Sequence, residues 1–461
     1  MKYQFPKEFW WGTACSAPQS EGAADREGKK QNILDYWYEI ESNRFFEGVG
    51  PDDTSDFYDR YKEDIALMKK LSHNSYRLSV SWSRLIPNGI GEINPKAVEF
   101  YNNVINTMIA EGVTPFVNLY HFDMPMELQK QGGFENREFV EWFANYADTC
   151  FKLFGDRVKY WFTYNEPIVM PEGGYLYDFF YPNVVDSKRS FQVAYNIVIS
   201  HLKAVEKFRA GGYPGKIGII LNLSPVYPRS QSVADLKAAR MMDLFVNRSF
   251  LDPILKGEYP IELCQILADR GLTPVVCQGD AELMKRCKID IVGLNYYQPR
   301  RAKLRENAVN SDAPFMPDHL YDHYEMPGRT MNPYRGWEIY PRGIYDMLID
   351  IRDNYGNIEC FISENGMGVE NEERFKVDGV IQDDYRIEFI RTHLEFVHKA
   401  HSEGCNVVGY HLWTFFDCWS WMNAYKNRYG FVEIDRKNGK KRVIKKSGWW
   451  FKELIDKSGF Y

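Results

Sequence analysis

Two glutamates stand where a carboxylate would be hard to bury without a use for it. Glu166 lies in Tyr164-Asn165-Glu166-Pro167 and Glu364 in Ser363-Glu364-Asn365-Gly366, each closing a short, otherwise apolar run. An ionised carboxylate removed from water is costly unless it is paired or employed. Two of them on one rim would suit the cleavage of an acetal. One, protonated, gives its proton to the departing oxygen; the other, ionised, meets the cationic carbon, at a separation of about 5 to 5.5 Å when a covalent intermediate forms. Arg77 could hold Glu364 ionised, and Tyr297 could donate a hydrogen bond to the same group. Glu166 would need an apolar setting to begin protonated. Two salt-bridged structural glutamates are the plainer reading of each residue alone; His121, Asn165, Arg77 and Tyr297 on the same expected rim favour the chemical one.

The elements that must carry these residues follow from periodicity. Eight β-branched or aromatic runs, at 9–17, 75–82, 114–121, 160–167, 216–223, 290–297, 359–366 and 407–415, alternate with stretches of helical period. That alternation predicts βα units around a parallel sheet. Tyr58, Tyr61, Ile65 and Met68 form one apolar helical stripe. Asn94 and Pro95 open a second helix and Gly112 closes it, with Val98, Tyr101, Ile105 and Met108 facing inward. Eight such units predict an α/β fold, a single (β/α)8 TIM barrel over residues 1–461 with elongated βα loops; an open doubly wound sheet is the alternative. Barrel chemistry sits at the carboxyl ends of the strands, where Arg77, His121, Asn165, Glu166, Asn295, Tyr297, Glu364 and Trp413 all fall.

Composition narrows the partners. A chain of 461 residues, 44% apolar, can bury a large core. Its 57 basic and 63 acidic residues are interspersed, so there is no basic face for nucleic acid. Aromatic content of 16% suits both packed cores and sugar stacking. The eight cysteines show no C-x-x-C pair or zinc spacing, and His393, His398 and His401 share a helix without a carboxylate at metal spacing, so neither metal nor cofactor is expected. Gly366-Met367-Gly368 is the nearest thing to a nucleotide loop and reads as a turn. The start, Met1-Lys2-Tyr3-Gln4-Phe5-Pro6, has no apolar leader and no long apolar run follows, which points to the cytoplasm and no membrane, and leaves the sequons at Asn222 and Asn247 unused. The basic cluster at 437–446 reads as a solvent hairpin, and 300–335 as a lid. No oligomeric state is implied.

At these residues the sequence resembles glycoside hydrolase family 1 along essentially its whole length, from Phe9-Trp10-Trp11-Gly12-Thr13-Ala14 to Arg428-Tyr429-Gly430-Phe431. The family's T-x-N-E-P acid/base motif falls on Thr163 to Pro167, and its [IV]-[ST]-E-N-G nucleophile motif on Ile362 to Gly366. The resemblance implies a retaining hydrolase with Glu166 as acid/base and Glu364 as nucleophile. It implies a sugar pocket made by Gln19, Glu21-Gly22, His121 and Asn165, with Trp413 under the ring, Asn295 and Tyr297 in an N-Y-Y motif, and Trp337 as an aromatic wall for the leaving group.

Substrate class turns on the loop after Trp413. Members acting on plain glucosides carry a Glu seven residues on; here that position is Ser420, which resembles the 6-phospho-β-glycosidase branch. A carboxylate there would repel a phosphate that a hydroxyl can bind. The branch follows this Ser with a Lys and a Tyr. Tyr429 matches, but Asn427 replaces the Lys, leaving Lys426, Asn427 or Arg428 to supply the contact. Trp421 and Asn423 resemble the phosphogalactosidase side, although a Trp there tolerates either epimer. The expected partner is a small phosphorylated β-glycoside, a 6-phospho-β-glucoside first and a galactoside second. A glycosidase for unphosphorylated sugars and a non-hydrolytic sugar-binding barrel are the competing readings.

Overall fold

The structure is a computed structural model and describes residues 2–310 and 312–461. Met1, and Ser311 within the segment read as a lid, lie outside the described residues. Eight parallel strands close a barrel: β1 (Trp10–Ala14), β2 (Ser75–Ser79), β3 (Thr114–Tyr120), β4 (Tyr160–Asn165), β5 (Lys216–Asn222), β6 (Ile291–Asn295), β7 (Glu359–Glu364) and β8 (Val407–Trp413). They pair in chain order, and β8 returns to β1 with Trp413 opposite Ala14. Closure leaves no strand edge, which removes the open doubly wound alternative. Each expected run forms its strand and stops one to three residues early at the carboxyl end, where side chains rather than ladder partners occupy the rim.

Helices cover the outside: α1 (Phe57–Lys70), α2 (Pro95–Ala110), α3 (Phe139–Phe154), α4 (Ser187–Ala210), α5 (Val233–Asp243), α6 (Arg342–Asn354), α7 (Asp384–Ser402) and α8 (Lys446–Asp456). The side chain of Asn94 accepts the Lys96 amide to cap α2, and Pro95 occupies its first turn as expected. Alternation along the strands divides the core. Phe116, Phe162, Ile220, Ile291 and Phe361 fill the barrel interior, while Trp161, Ile219, Val292 and Ile362 join the larger core outside.

Two irregularities in this alternation make the site. On β4, Phe162 points inward, but Thr163 and Tyr164 both turn outward to α4, bonding His201 at 2.7 Å and Ser200 at 2.6 Å. The pairing with β5 shifts register there, so that Asn165 faces inward again. On β7 the register with β6 shifts between Ile362 and Glu364, and Ser363 and Glu364 both reach Arg77 inside the barrel. Strict period-two alternation would have sent Glu364 into the outer core; a bulge re-aims it.

The basic cluster departs from expectation. The hairpin forms, Val432–Asp435 against Lys441–Ile444, with Lys437 and Lys441 exposed, but Arg442 and Lys445 are buried. Arg442 pairs with Asp64 at 2.8 Å, while Lys445 joins Glu372 at 2.5 Å and Asp417 at 2.9 Å. Charged residues here serve buried acids because the hairpin lies against Asp64 of α1 and its end meets Glu372 and Asp417, rather than solvent. Asp417 also accepts the Gly430 amide at 3.0 Å, so Lys445 helps hold the segment that carries Ser420 and Tyr429. Lys445→Met should destabilise the fold by about 3 to 5 kcal/mol, the usual result of leaving buried charges without a partner. Urea unfolding measures this, and a loss under about 1 kcal/mol, typical of exposed pairs, would mean that the network is not dry.

Candidate active site

The carboxyl ends of the strands open on a cavity of about 310 Å³. Gln19, His121, Asn165, Glu166, Tyr297, Trp337, Glu364, Trp413, Ser420, Trp421 and Tyr429 line it, together with Phe179, Phe180, Gln298, Arg300, Arg335, Met422 and Asn423. Twelve of the residues singled out from sequence, Asn423 included, thus meet in one place. Asn295 and Arg77 stand directly behind them.

The two glutamates have opposite settings. Arg77 donates to Glu364 and, through Nη1, to Asn165 at 2.7 Å and Ser363 at 3.0 Å; Tyr297 donates its hydroxyl to Glu364 Oε2 at 2.6 Å. A guanidinium and a phenol thus hold both oxygens of one carboxylate and fix its orientation. Arg77 itself lies 5.7 Å from the face of Trp413, which keeps the ring beside the pair. Glu166 meets an amide instead, Asn295 Nδ2 at 3.0 Å, which Asn165 Oδ1 orients from the other side at 3.0 Å. Its pKa is pushed up to about 8, first because protein around the carboxyl keeps bulk water away and second because the Glu364 charge is near; Asn295 and Arg77 oppose the rise. Glu166 is only partly covered by area, since one side opens on the cavity, yet its surroundings are poor in water. Its φ of 47° places a non-glycine residue in the left-handed region, a strained backbone held by the bulge before it and by its amide bond to Ile220 O at 2.9 Å.

The walls follow the same logic. Gln19 is held by Trp419 O at 2.9 Å and Ser16 at 2.8 Å on the short helix Ala17–Ser20. Burial and the Arg77 charge hold His121 well below the usual histidine range, so it is neutral, and it stacks against Trp413 with centroids 5.8 Å apart. Trp337 closes the outer side 5.2 Å from the Tyr297 ring. Gly366 has no side chain because a Cβ there would stand 2.2 Å from the Trp413 carbonyl oxygen.

Three expectations are corrected. Glu21 does not line the cavity: it turns back to Arg84 at 2.9 Å and Tyr101 at 2.7 Å, and Gly22 follows it away. Lys426 faces another cleft, its ammonium 5.7 Å from the Phe46 ring. Asn427 lies behind the cavity wall with its amide on Tyr334 O at 3.2 Å. Period two accounts for Lys426: Asn427–Arg428 pairs antiparallel with Val369–Glu370, so Lys426 and Arg428 lie on the face opposite Tyr429, while Asn427 is held out of the cavity by its bond to Tyr334. Arg428 is bound to Asp417 at 3.5 Å. Sequence reasoning missed Arg335, whose only signal was its place two residues before Trp337 in the segment read as a lid.

The profile of Glycosyl hydrolase family 1 matches residues 1–460. The chain belongs to glycosyl hydrolase family 1. It is 62% identical to the 6-phospho-beta-glucosidase GmuD of Bacillus subtilis over 100% of this chain and 99% of that protein, and 37% identical to a 6-phospho-beta-galactosidase of Clostridium acetobutylicum over 98% and 96%. Among solved structures, the family 1 b-glucosidase from Thermotoga maritima superposes with a TM-score of 0.91 at 35% identity, covering 100% of both chains. The hydrolase is therefore a (β/α)8 barrel, as expected. No described helix is long and apolar enough to cross a membrane.

Proposed function

We propose that this hydrolase cleaves 6-phospho-β-glucosides with retention, yielding glucose 6-phosphate and the aglycone. The observation that carries the substrate class is Ser420: the cavity that Tyr429 also lines presents a hydroxyl where plain glucosidases are expected to carry a carboxylate. The 62% identity to a protein named as a 6-phospho-beta-glucosidase supports the same reading.

Glu364 attacks the anomeric carbon while Glu166 gives its proton to the leaving oxygen, so the glycosidic bond breaks as the ester to Glu364 forms. Esterification removes the Glu364 charge, one of the causes holding Glu166 protonated, and Glu166 becomes a base suited to activating water. Water then displaces Glu364, whose restored charge favours reprotonation of Glu166. Gln19, His121, Asn165 and Trp413 hold the sugar, Trp421 stands over the ring beside His121, and Trp337 receives the aglycone. A phosphorylated sugar is an anion that does not cross a bilayer unaided, so one phosphorylated during uptake stays inside, and the enzyme, read as one barrel over residues 1–461, acts in the cytoplasm.

Hydrolysis of nitrophenyl β-glucoside with and without a 6-phosphate, beside the galactose pair, tests the reading. The phosphorylated glucoside should have the highest kcat/KM. Faster cleavage of the plain sugars would overturn the phosphate assignment, and a higher rate on the phosphogalactoside would overturn the gluco preference.

A further inference from the structure

Resting on the phosphoglycosidase reading, we propose that Arg335 is the phosphate-binding cation of this enzyme and that Asn427 is the residue that positions it. A phosphate at the Ser420–Tyr429 side of the cavity needs a positive partner, and the sequence offers none at the expected place. Two basic residues line the cavity, Arg300 and Arg335. Arg300 is committed to Glu172 at 3.1 Å, whereas Arg335 forms no ion pair among the described residues. Its Nε donates to the Tyr429 hydroxyl at 3.3 Å, and its Cζ lies over the Trp337 ring, 4.4 Å from the centroid.

Arg335, Tyr429 and Ser420 line the same cavity and together offer the donors a phosphate requires. Tyr429, having accepted from Arg335, keeps its own O–H free to donate. The Ser420 hydroxyl has no protein partner among the described residues, while its amide and carbonyl are fixed by Ala424 and Asn423. Guanidinium nitrogens not used by Tyr429 complete a three-sided donor set, and stacking on Trp337 removes much of the freedom an exposed Arg would lose on binding. A planar fork is well matched to phosphate oxygens.

The supporting turn explains Asn427. Tyr334 O receives the Asn427 amide at 3.2 Å; Asn332 receives the Tyr334 amide at 3.1 Å and donates to Gly368 O at 2.9 Å. Arg335 thus projects from a turn held on both sides. A lysine at 427 would lose the bond to Tyr334 and bring its own charge to the same wall, so the side chain that replaces the cation is the one that fixes a substitute in place.

The test is the ratio of kcat/KM for nitrophenyl 6-phospho-β-glucoside to that for the plain glucoside, measured for wild type, Arg335→Met, Asn427→Ala, both together, and Arg335→Met with Asn427→Lys. Arg335→Met should lower the ratio about 10- to 100-fold, mostly through KM, as loss of one charged hydrogen-bonding partner does. Asn427→Ala should lower it less, and should add little in the Arg335→Met background, because a positioning residue has nothing left to position. Asn427→Lys in that background should restore part of the ratio. If wild type prefers the phosphorylated sugar and Arg335→Met keeps that preference, or loses both substrates alike while its melting midpoint is unchanged, the inference is wrong and the substrate reading stands. If wild type prefers plain sugar, the substrate reading itself fails. Full additivity of the two single variants would remove the positioning role of Asn427.

Discussion

Glu364→Gln should lower kcat on nitrophenyl 6-phospho-β-glucoside by about 10⁴-fold or more, equivalent to about 5.4 kcal/mol at about 1.36 kcal/mol per tenfold. The amide is nearly isosteric and still meets Arg77 and Tyr297, so folding should be preserved while the atom that would bond the anomeric carbon is lost. A second consequence is specific to the pairing. The Glu364 charge is the second cause of the raised Glu166 pKa, after burial, so its removal should bring Glu166 below the value of about 8 reached in the native pair. Carbon NMR titration of labelled glutamates would show that shift without requiring turnover. Activity within tenfold of wild type would mean that another group is the nucleophile; an unmoved Glu166 would mean that the carboxylates do not sense each other.

Glu166→Ala should separate substrates by their leaving groups. On a phosphorylated disaccharide, whose departing alkoxide needs a proton, kcat/KM should fall by about 10² to 10⁴-fold, the usual range for a general acid. On a dinitrophenyl glycoside, which leaves as a stable anion, kcat/KM should change far less, while kcat falls because water attack on the ester has lost its base. Azide needs no base, and should raise that kcat and yield a β-glycosyl azide. The pH profile gives an independent check. The competent form of Glu166 is protonated, so wild-type kcat/KM on the disaccharide should be present below about pH 8 and lost as the pH rises through that value. The substrate's own phosphate ionises near about pH 6 and does not coincide with this limb. Equal loss on both leaving groups, or an alkaline limb that survives in Glu166→Ala, would remove the acid role.

Much of this architecture was legible from residues alone, for a local reason. Strand runs, helix stripes and the Asn94-Pro95 cap each depend on neighbours within a few positions, and all eight strands formed where alternation placed them. The two glutamates were visible because a carboxylate ending an apolar run conflicts with its surroundings, and such conflicts mark sites. Tertiary structure alone decided three things. Register shifts on β4 and β7 returned Asn165 and Glu364 to the interior, which period two by itself would not do. Burial with a charged neighbour, rather than residue type, raised Glu166 while Arg77 and Tyr297 were drawn to Glu364. The same distant packing buried Lys445 among acids, turned Lys426 from the cavity and brought Arg335 to it, since a side chain's partners there come from segments far away in sequence that no local pattern records.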